Sequence, residues 1–273
     1  MHPKAGGRRS VKAAALAAAL SLGVAGCAYN EELGRNQLMF GVGEDSMAEA
    51  GSAAWQDIKE QQTISRDSRY TERLNRVAPR LLRASGEDPA EWEYLVFEDP
   101  TLNAFALPGK KIGIHTGIMD IMQNDAQLAA VVGHEIAHVE YNHAGERSSQ
   151  NLLAQLGLVG TSIALGSRCG DNPRAGTDCS QNAQQLAQVL GVGAMYGLIL
   201  PYSRKHELEA DAGGVRYMAR AGYDASEALE FWTRMAQASA NQERPAEFAS
   251  THPATETRIE NLRREIAQLG QGT

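Results

Sequence analysis

The chain has 273 residues, with 26 Lys and Arg against 33 Asp and Glu, and a formal net charge of −7. That acidic balance excludes nucleic acid and anionic lipid headgroups as partners drawn by charge. A composition that is 43% hydrophobic and 22% charged excludes a disordered chain and suits a protein that buries a real core.

The first 26 residues stand apart from that body. They open with Lys4, Arg8, Arg9 and Lys12, run through an apolar stretch from Ala13 to Ala25, and end in small residues before Cys27. This is the layout of a secretory signal peptide, too short for a spanning helix. The ending "LGVAGC" resembles the bacterial lipobox, in which cleavage leaves the cysteine as a lipid-modified first residue. The resemblance implies a signal peptide over 1–26 and a lipid anchor at Cys27. With Ala28 and no Asp behind the cysteine, it also implies a periplasmic protein held to the outer membrane. Loss of the leader removes four basic and no acidic residues, which takes the mature chain to −11. Attachment to a membrane then rests on lipid chains. With Cys27 modified, Cys169 and Cys179 remain as an even pair in an oxidising compartment. The segment between them, "CGDNPRAGTDC", reads as a loop. A disulfide closing it contributes about 2–3 kcal/mol on the chain-entropy account.

Residues 27–46 carry Gly and Asn without a clear period and are expected to be a tether, leaving 47–273 as the folded domain. From Met47 to Ala84 the pattern is helical, with Leu74, Val77, Leu81 and Leu82 on one face and Pro79 marking a boundary or a kink. "WEYLVFEDP" alternates as a strand, and "TLNAFALPGKKIGIHTGIM" gives two short strands turning at Pro108 and Gly109. Asn124 or Asp125 then caps a helix that runs to about Asn142. Two Gly- and Ala-rich apolar segments follow, near 151–167 and 182–200; their glutamines and glycines favour helices packed on the core over membrane spans. Helices near 203–220, after Gly222, and from Thr255 to Leu269 complete the chain.

The chemistry is concentrated in "AAVVGHEIAHVEYNHAGE", residues 129–146. At about 100° per residue, His134 and His138 lie about 40° apart on one helical face, where two imidazoles can meet one ion. Glu135 projects about a quarter-turn away, placed to act as a general base on an attacking water without occupying a coordination position. The surrounding Ala130, Val131, Gly133, Ile136 and Ala137 are apolar, which disfavours a merely solvated polar face. His143 would lie about 140° from His138 on a continuing helix and is excluded as a ligand. A catalytic zinc takes a third protein ligand and keeps an open position. In "SRKHELEADAGG", Glu207 and Asp211 are again four residues apart on one face. Glu207 is placed to be the carboxylate ligand, and Asp211 to accept a hydrogen bond from a ligand histidine and fix its tautomer. Glu209 points about 160° away from Asp211. His115 and His206 read as structural.

"HEIAH" at 134–138 followed by "SRKHELEAD" at 203–211 resembles the zinc-peptidase family of the CAAX prenyl proteases and the heat-shock protease HtpX, most of all its soluble periplasmic lipoproteins. The likeness extends to "NAFALPGKKIGIHTGIM" at 103–119 and "THPATETRI" at 251–259, with Lys110 standing where the family often has a second glycine. It implies an α+β, mostly α, zincin-like fold with a small sheet. It also implies one zinc ion held by His134, His138 and Glu207, with Glu135 as base and Asp211 behind the ligands.

Around this centre three groups stay open. The strand Lys111–His115, with Ile112 and Ile114, and Asn103 before it, is either an ordinary core strand or a strand beside the cleft that takes an extended substrate by β-addition. His252 either is structural, stabilises an oxyanion, or fills the open position of zinc at rest. Arg258 is a candidate assisting cation. The activity expected is zinc-dependent endopeptidase action on misfolded or misassembled envelope proteins, with outer-membrane assembly machinery as a partner and no nucleic acid. The competing expectation is a chaperone-like assembly factor whose zinc is structural.

Overall fold

A computed structural model describes residues 27–41, 43–153, 203–240, 248, 251–252 and 256–270. The signal peptide, Cys169 and Cys179, and nearly all of the two Gly- and Ala-rich segments lie outside the described residues. In chain order the elements are β1 (Cys27–Asn30), β2 (Arg35–Leu38), α1 (Glu44–Gln61), α2 (Ser68–Ser85), a 3-10 turn (Pro89–Glu91), β3 (Glu93–Phe97), β4 (Ala104–Leu107) and β5 (Lys111–His115). There follow α3 (Thr116–Asp120), α4 (Asp125–Glu140), α5 (143–153), α6 (Arg204–Arg220), α7 (Ser226–Ala240) and α8 (Glu256–Leu269). The protein is mostly helical with small sheets, as expected.

Helix α2 shows how local chemistry sets these boundaries. Asp67 caps its start by accepting from the Arg69 N–H, and Gly86, at φ 102°, closes its end in the left-handed conformation with its N–H on the Leu82 and Arg83 carbonyls. Pro79 sits inside the helix and does not end it. An interior proline costs about 3 kcal/mol. Burial of Leu74, Val77, Leu81 and Leu82 on both sides of it, at about 1.5–3 kcal/mol each, outweighs that.

The three-stranded sheet has the order β3-β5-β4, with β3 parallel and β4 antiparallel to β5. This decides between the two readings of Lys111–His115. Its backbone is paired on both sides and Ile112 and Ile114 are fully buried, so it is a core strand with no edge free for β-addition. Asn103 is buried too, and its carbonyl accepts from the His115 N–H. Among the described residues, the strand with a side free of β-partners near the site helix is β4. Between β4 and β5, Gly109 and Lys110 both turn through positive φ, 83° and 65°. The Lys110 ammonium is held there by Glu87 and Glu91, each at 2.5 Å.

The core gathers α2, α4, α6, α7 and α8 against one face of the sheet. Asn124 caps α4 through the Gln127 N–H, and α4 is buried from Gln127 to His138. It crosses α6 at a pair of glycines. A Cβ on Gly133 would come within 3.1 Å of the Gly214 carbonyl oxygen, and one on Gly214 within 3.0 Å of the His134 nitrogen. Only glycine lets the two backbones approach this closely.

The stretch expected to be a tether is structured from Cys27. β1 and β2 pair as an antiparallel hairpin, Cys27 opposite Leu38 and Asn30 opposite Arg35, and α1 begins at Glu44. Polar ties dock this hairpin: Gln37 donates to the Tyr141 carbonyl at 2.6 Å, and Arg35 reaches both Glu146 and Glu209. Cys27 itself is exposed and unbonded. Among the described residues no helix is long and apolar enough to cross a membrane.

Candidate metal centre

The crossing of α4 and α6 delivers the predicted donors to one buried point. His134 and His138 rise from α4, Glu207 from the first turn of α6, and His252 enters from the segment that follows Phe248. His134 Nε2 and His138 Nε2 are 3.0 Å apart. Each lies 3.4 Å from an oxygen of Glu207. His252 Nδ1 is 3.1 Å from His134 Nε2 and 3.0 Å from Glu207 Oε1. Ligands about 2.0–2.1 Å from a tetrahedral zinc stand about 3.4 Å from one another, so the spacing is that of a coordination shell. All four donor atoms fall within 4.8 Å of one another.

The partners of the rings fix which nitrogens face inward. His134 donates its Nδ1 proton to Asp211 Oδ1 at 3.0 Å, and His138 Nδ1 lies 2.9 Å from His143 Nδ1. In the neutral rings both Nε2 lone pairs therefore point at each other and at a carboxylate. That converging electron density suits a cation. The electrostatics agree: burial disfavours a charged His134, yet Asp211 and Glu207 hold its pKa up to about 9. A proton favoured there marks a place where positive charge is stabilised. Burial and the neighbouring His134 hold His138 well below its ordinary value, in the neutral form that ligates. Burial works against an ionised Glu207, but the charges of His252 and Arg258 outweigh it and hold the carboxyl well below the usual range.

Glu135 is different. It is buried, its Oε1 has no hydrogen-bond partner, and His252 Nε2 stands 3.6 Å away. The backbone of Ala106 on β4 also favours the ionised carboxylate. Burial pushes its pKa up, partly offset by the charges of His252 and His134. Leaving a buried carboxylate oxygen unpartnered costs on the order of 1–3 kcal/mol or more. A group kept at that cost beside a metal set has the character of a proton acceptor.

Asp211 lies where the sequence predicted, behind His134, and Arg258 grips it from Nε at 2.8 Å and Nη2 at 2.7 Å. The same guanidinium reaches Glu207 at 2.8 Å and the His252 carbonyl at 3.0 Å, and lies 4.0 Å over the Trp232 ring. Arg258 is thus directed at the two carboxylates and the His252 backbone. Phe248 stacks on the other part of this wall, 5.4 Å from Trp232.

Three residues escaped the sequence reading. His143, excluded as a ligand, lies outside the four-donor cluster but touches the second nitrogen of His138. Glu209 accepts from His143 Nε2 at 3.2 Å, and Arg35 holds Glu209. The one signal available was a histidine five residues after His138; nothing in the sequence pointed to Arg35. Burial also holds His143 neutral, with its pKa down to about 4. Beside His138 a cleft of about 420 Å³ opens between the start of α1, the β4–β5 turn and the end of α4, with Ala106 on its wall.

Comparison with known proteins agrees with this geometry. The profile of peptidase family M48 matches residues 68–266. Mitochondrial metalloendopeptidase OMA1 of Schizosaccharomyces pombe is 35% identical over 189 residues, covering 69% of this chain and 51% of that protein. The human mitochondrial metalloendopeptidase OMA1 is 29% identical over 246 residues, covering 86% of this chain and 45% of its own length. The beta-barrel assembly-enhancing protease of Escherichia coli is 28% identical over 208 residues, covering 74% and 40%. The chain thus spans about half the length, or less, of these relatives.

Proposed function

The chain belongs to peptidase family M48, with the zincin-like fold of that family, and on that premise we propose that it is a zinc-dependent endopeptidase of the bacterial cell envelope. Its substrates are misfolded or misassembled proteins. The observation that carries the reading is Glu135, a buried carboxylate with an unpartnered oxygen and a raised pKa next to a His-His-Glu set.

His134, His138 and Glu207 would hold the ion. Zinc bound there supplies a Lewis acid that brings the pKa of a water toward neutrality and polarises a carbonyl. Glu135 takes the proton of the attacking water and passes it to the leaving amine, the step for which burial has tuned it. Asp211 keeps His134 in the ligating tautomer, and Arg258 keeps Asp211 and Glu207 ionised. His252, whose Nδ1 lies 3.0 Å from Glu207 Oε1, would add a fourth donor to that set. The extended peptide lies along the side of β4 that has no β-partner among the described residues, whose Ala106 lines the cleft.

Cys27 carries the lipid anchor and holds the protein to the inner leaflet of the outer membrane, and Cys169 pairs with Cys179. The leader and the lipobox support the anchor, and the exposed, unbonded Cys27 is compatible with it. The likeness to the beta-barrel assembly-enhancing protease of Escherichia coli supports outer-membrane assembly machinery as a partner.

One observation favours a second reading. Counting His252, four protein donors surround the centre, and closed four-ligand sites are typically structural. A chaperone-like factor with structural zinc would have such a site. Glu135→Gln separates the two. The variant, assayed on an unfolded protein such as reduced casein, is expected to keep its zinc and lose cleavage by at least 100-fold. Cleavage at the wild-type rate, or a wild-type protein without zinc, would refute the endopeptidase reading.

A further inference from the structure

The two histidines of the centre are held from outside by systems of the same design. Behind His134 the order is Nδ1–H to Asp211, then Asp211 to the Arg258 guanidinium. Behind His138 the chain is one link longer. His138 Nδ1 meets His143 Nδ1 at 2.9 Å, and His143 Nε2 meets Glu209 Oε2 at 3.2 Å. Arg35 then grips Glu209 with Nε at 2.6 Å and Nη2 at 2.7 Å.

Donor and acceptor bookkeeping gives this chain a direction. For Nε2 of His138 to carry a lone pair toward the ion, its proton must sit on Nδ1 and be donated to His143 Nδ1. His143 then carries its own proton on Nε2, and only an acceptor can face that nitrogen. Glu209 is that acceptor, and it stays an acceptor because a guanidinium covers its oxygens. Donation therefore runs outward from His138 through His143 and inward from Arg35 on β2, and both meet at the Glu209 carboxylate.

The far end of the chain belongs to the hairpin at the start of the described residues. Arg35 also makes two bonds to Glu146, Nη1 to Oε1 at 2.9 Å and Nη2 to Oε2 at 2.8 Å. One guanidinium thereby joins α5 and α6 behind the site. Gln37, next but one on the same strand, donates to the Tyr141 carbonyl just past the end of α4. His206 closes the cluster by stacking on His143, ring centroids 4.4 Å apart, with its Nε2 3.1 Å from Glu146. These residues come from β2, α4's exit, α5 and α6, and they meet on the face of His138 opposite the ion.

We infer that Arg35 is a positioning residue of the metal centre, acting through Glu209 and His143 to fix the tautomer and orientation of His138, so that the N-terminal hairpin is a working part of the site. The inference rests on reading His138 as a metal ligand. Removing partners of ligand histidines typically weakens metal binding 10–100-fold, and Arg35 stands two links out, so a loss near 10-fold is expected.

The test uses the full chain loaded with cobalt, whose visible absorption reports ligand geometry independently of turnover. Arg35→Met is expected to weaken cobalt and zinc binding about 10-fold in chelator competition and to alter the cobalt band. Arg35→Lys keeps the charge and the fold, but an ammonium cannot bridge two carboxylates as a fork does. It is expected to melt near the wild type and still bind metal several-fold more weakly. Glu209→Gln combined with Arg35→Met should be no worse than the worse single variant, because both cut one chain. If Arg35→Lys, and Arg35→Met where it folds, bind cobalt with wild-type affinity and spectrum, the inference is overturned, whatever their melting temperatures. A wild-type chain that takes up no cobalt or zinc overturns the reading of the site itself, and this inference with it.

Discussion

Gly214→Ala tests whether the helix crossing sets the metal geometry. A Cβ at Gly214 would lie 3.0 Å from the His134 nitrogen, 3.2 Å from the Gly133 carbonyl carbon and 3.3 Å from the His134 Cα. All three are backbone atoms of α4, so no rotamer change can clear them. Ordinary contact for a Cβ starts at 3.4 Å. The helices must therefore part by several tenths of an ångström. Glu207 lies seven residues before Gly214, nearly two turns away on the same face of α6, so it moves with that shift. Metal–ligand distances tolerate only about 0.2 Å.

The energetics separate metal binding from folding. Overpacking costs about 1–3 kcal/mol, while Gly→Ala inside a helix returns about 1 kcal/mol. The metal-free protein should lose no more than about 2 kcal/mol on this balance. Zinc affinity, measured by competition with a chromophoric chelator, should fall 10-fold or more. Zinc affinity within twofold of the wild type in Gly214→Ala would refute the argument that this contact fixes Glu207 against the histidines.

Two further outcomes follow from the hairpin and the turn. Burial raises the Glu146 and Glu209 carboxyls, but their bonds to Arg35, and that of Glu209 to His143, overcome it and hold both down to about 2, below the ordinary 4.5. A depressed folded value contributes stability that is full above about pH 4.5 and lost as pH falls toward 2. The stability difference between the wild type and Arg35→Met should accordingly shrink over that window in acid-dependent urea melts; a constant difference would contradict the clamp. At Lys110, the left-handed φ of 65° costs about 1–2 kcal/mol for a non-glycine residue, and its ion pairs with Glu87 and Glu91 return about 0–1 kcal/mol each. Lys110→Gly should leave stability within about 1 kcal/mol of the wild type, whereas Lys110→Ala, which keeps the strain and loses both pairs, should melt lower than either. An alanine variant as stable as the glycine one would remove strain from the account.

What could be read from the sequence is what one helix carries by itself. His134 with His138, and Glu207 with Asp211, are i, i+4 pairs, and helical spacing alone puts each pair on one face. Once α4 and α6 are known to cross, the ligand set follows. The strand order did not follow, because "KIGIH" has the same pattern whether it lies at the centre or at the edge of a three-stranded sheet. Its place depends on β3 returning parallel to it, a pairing between segments that local pattern does not encode. The hairpin was misread for a related reason. Its docking comes from Arg35 and Gln37 bonding to residues more than a hundred positions away, while its own strands show no apolar face.

The two histidines of the donor cluster show the same divide within a single site. The support of His134 was legible because Asp211 shares a helix with Glu207, so one motif announces both. The support of His138 is assembled from β2, α6 and the residues after α4, and each member has an innocent local reading: Glu209 as a solvated helix acid, His143 as a histidine facing elsewhere, Arg35 as part of a linker. Only their convergence gives them a role. Helix α4 ends at Glu140, and the positive φ of 49° at Asn142 turns the chain so that the His143 ring meets the far nitrogen of His138. A break in the helix, which the spacing of the motif does not announce, is what places it there.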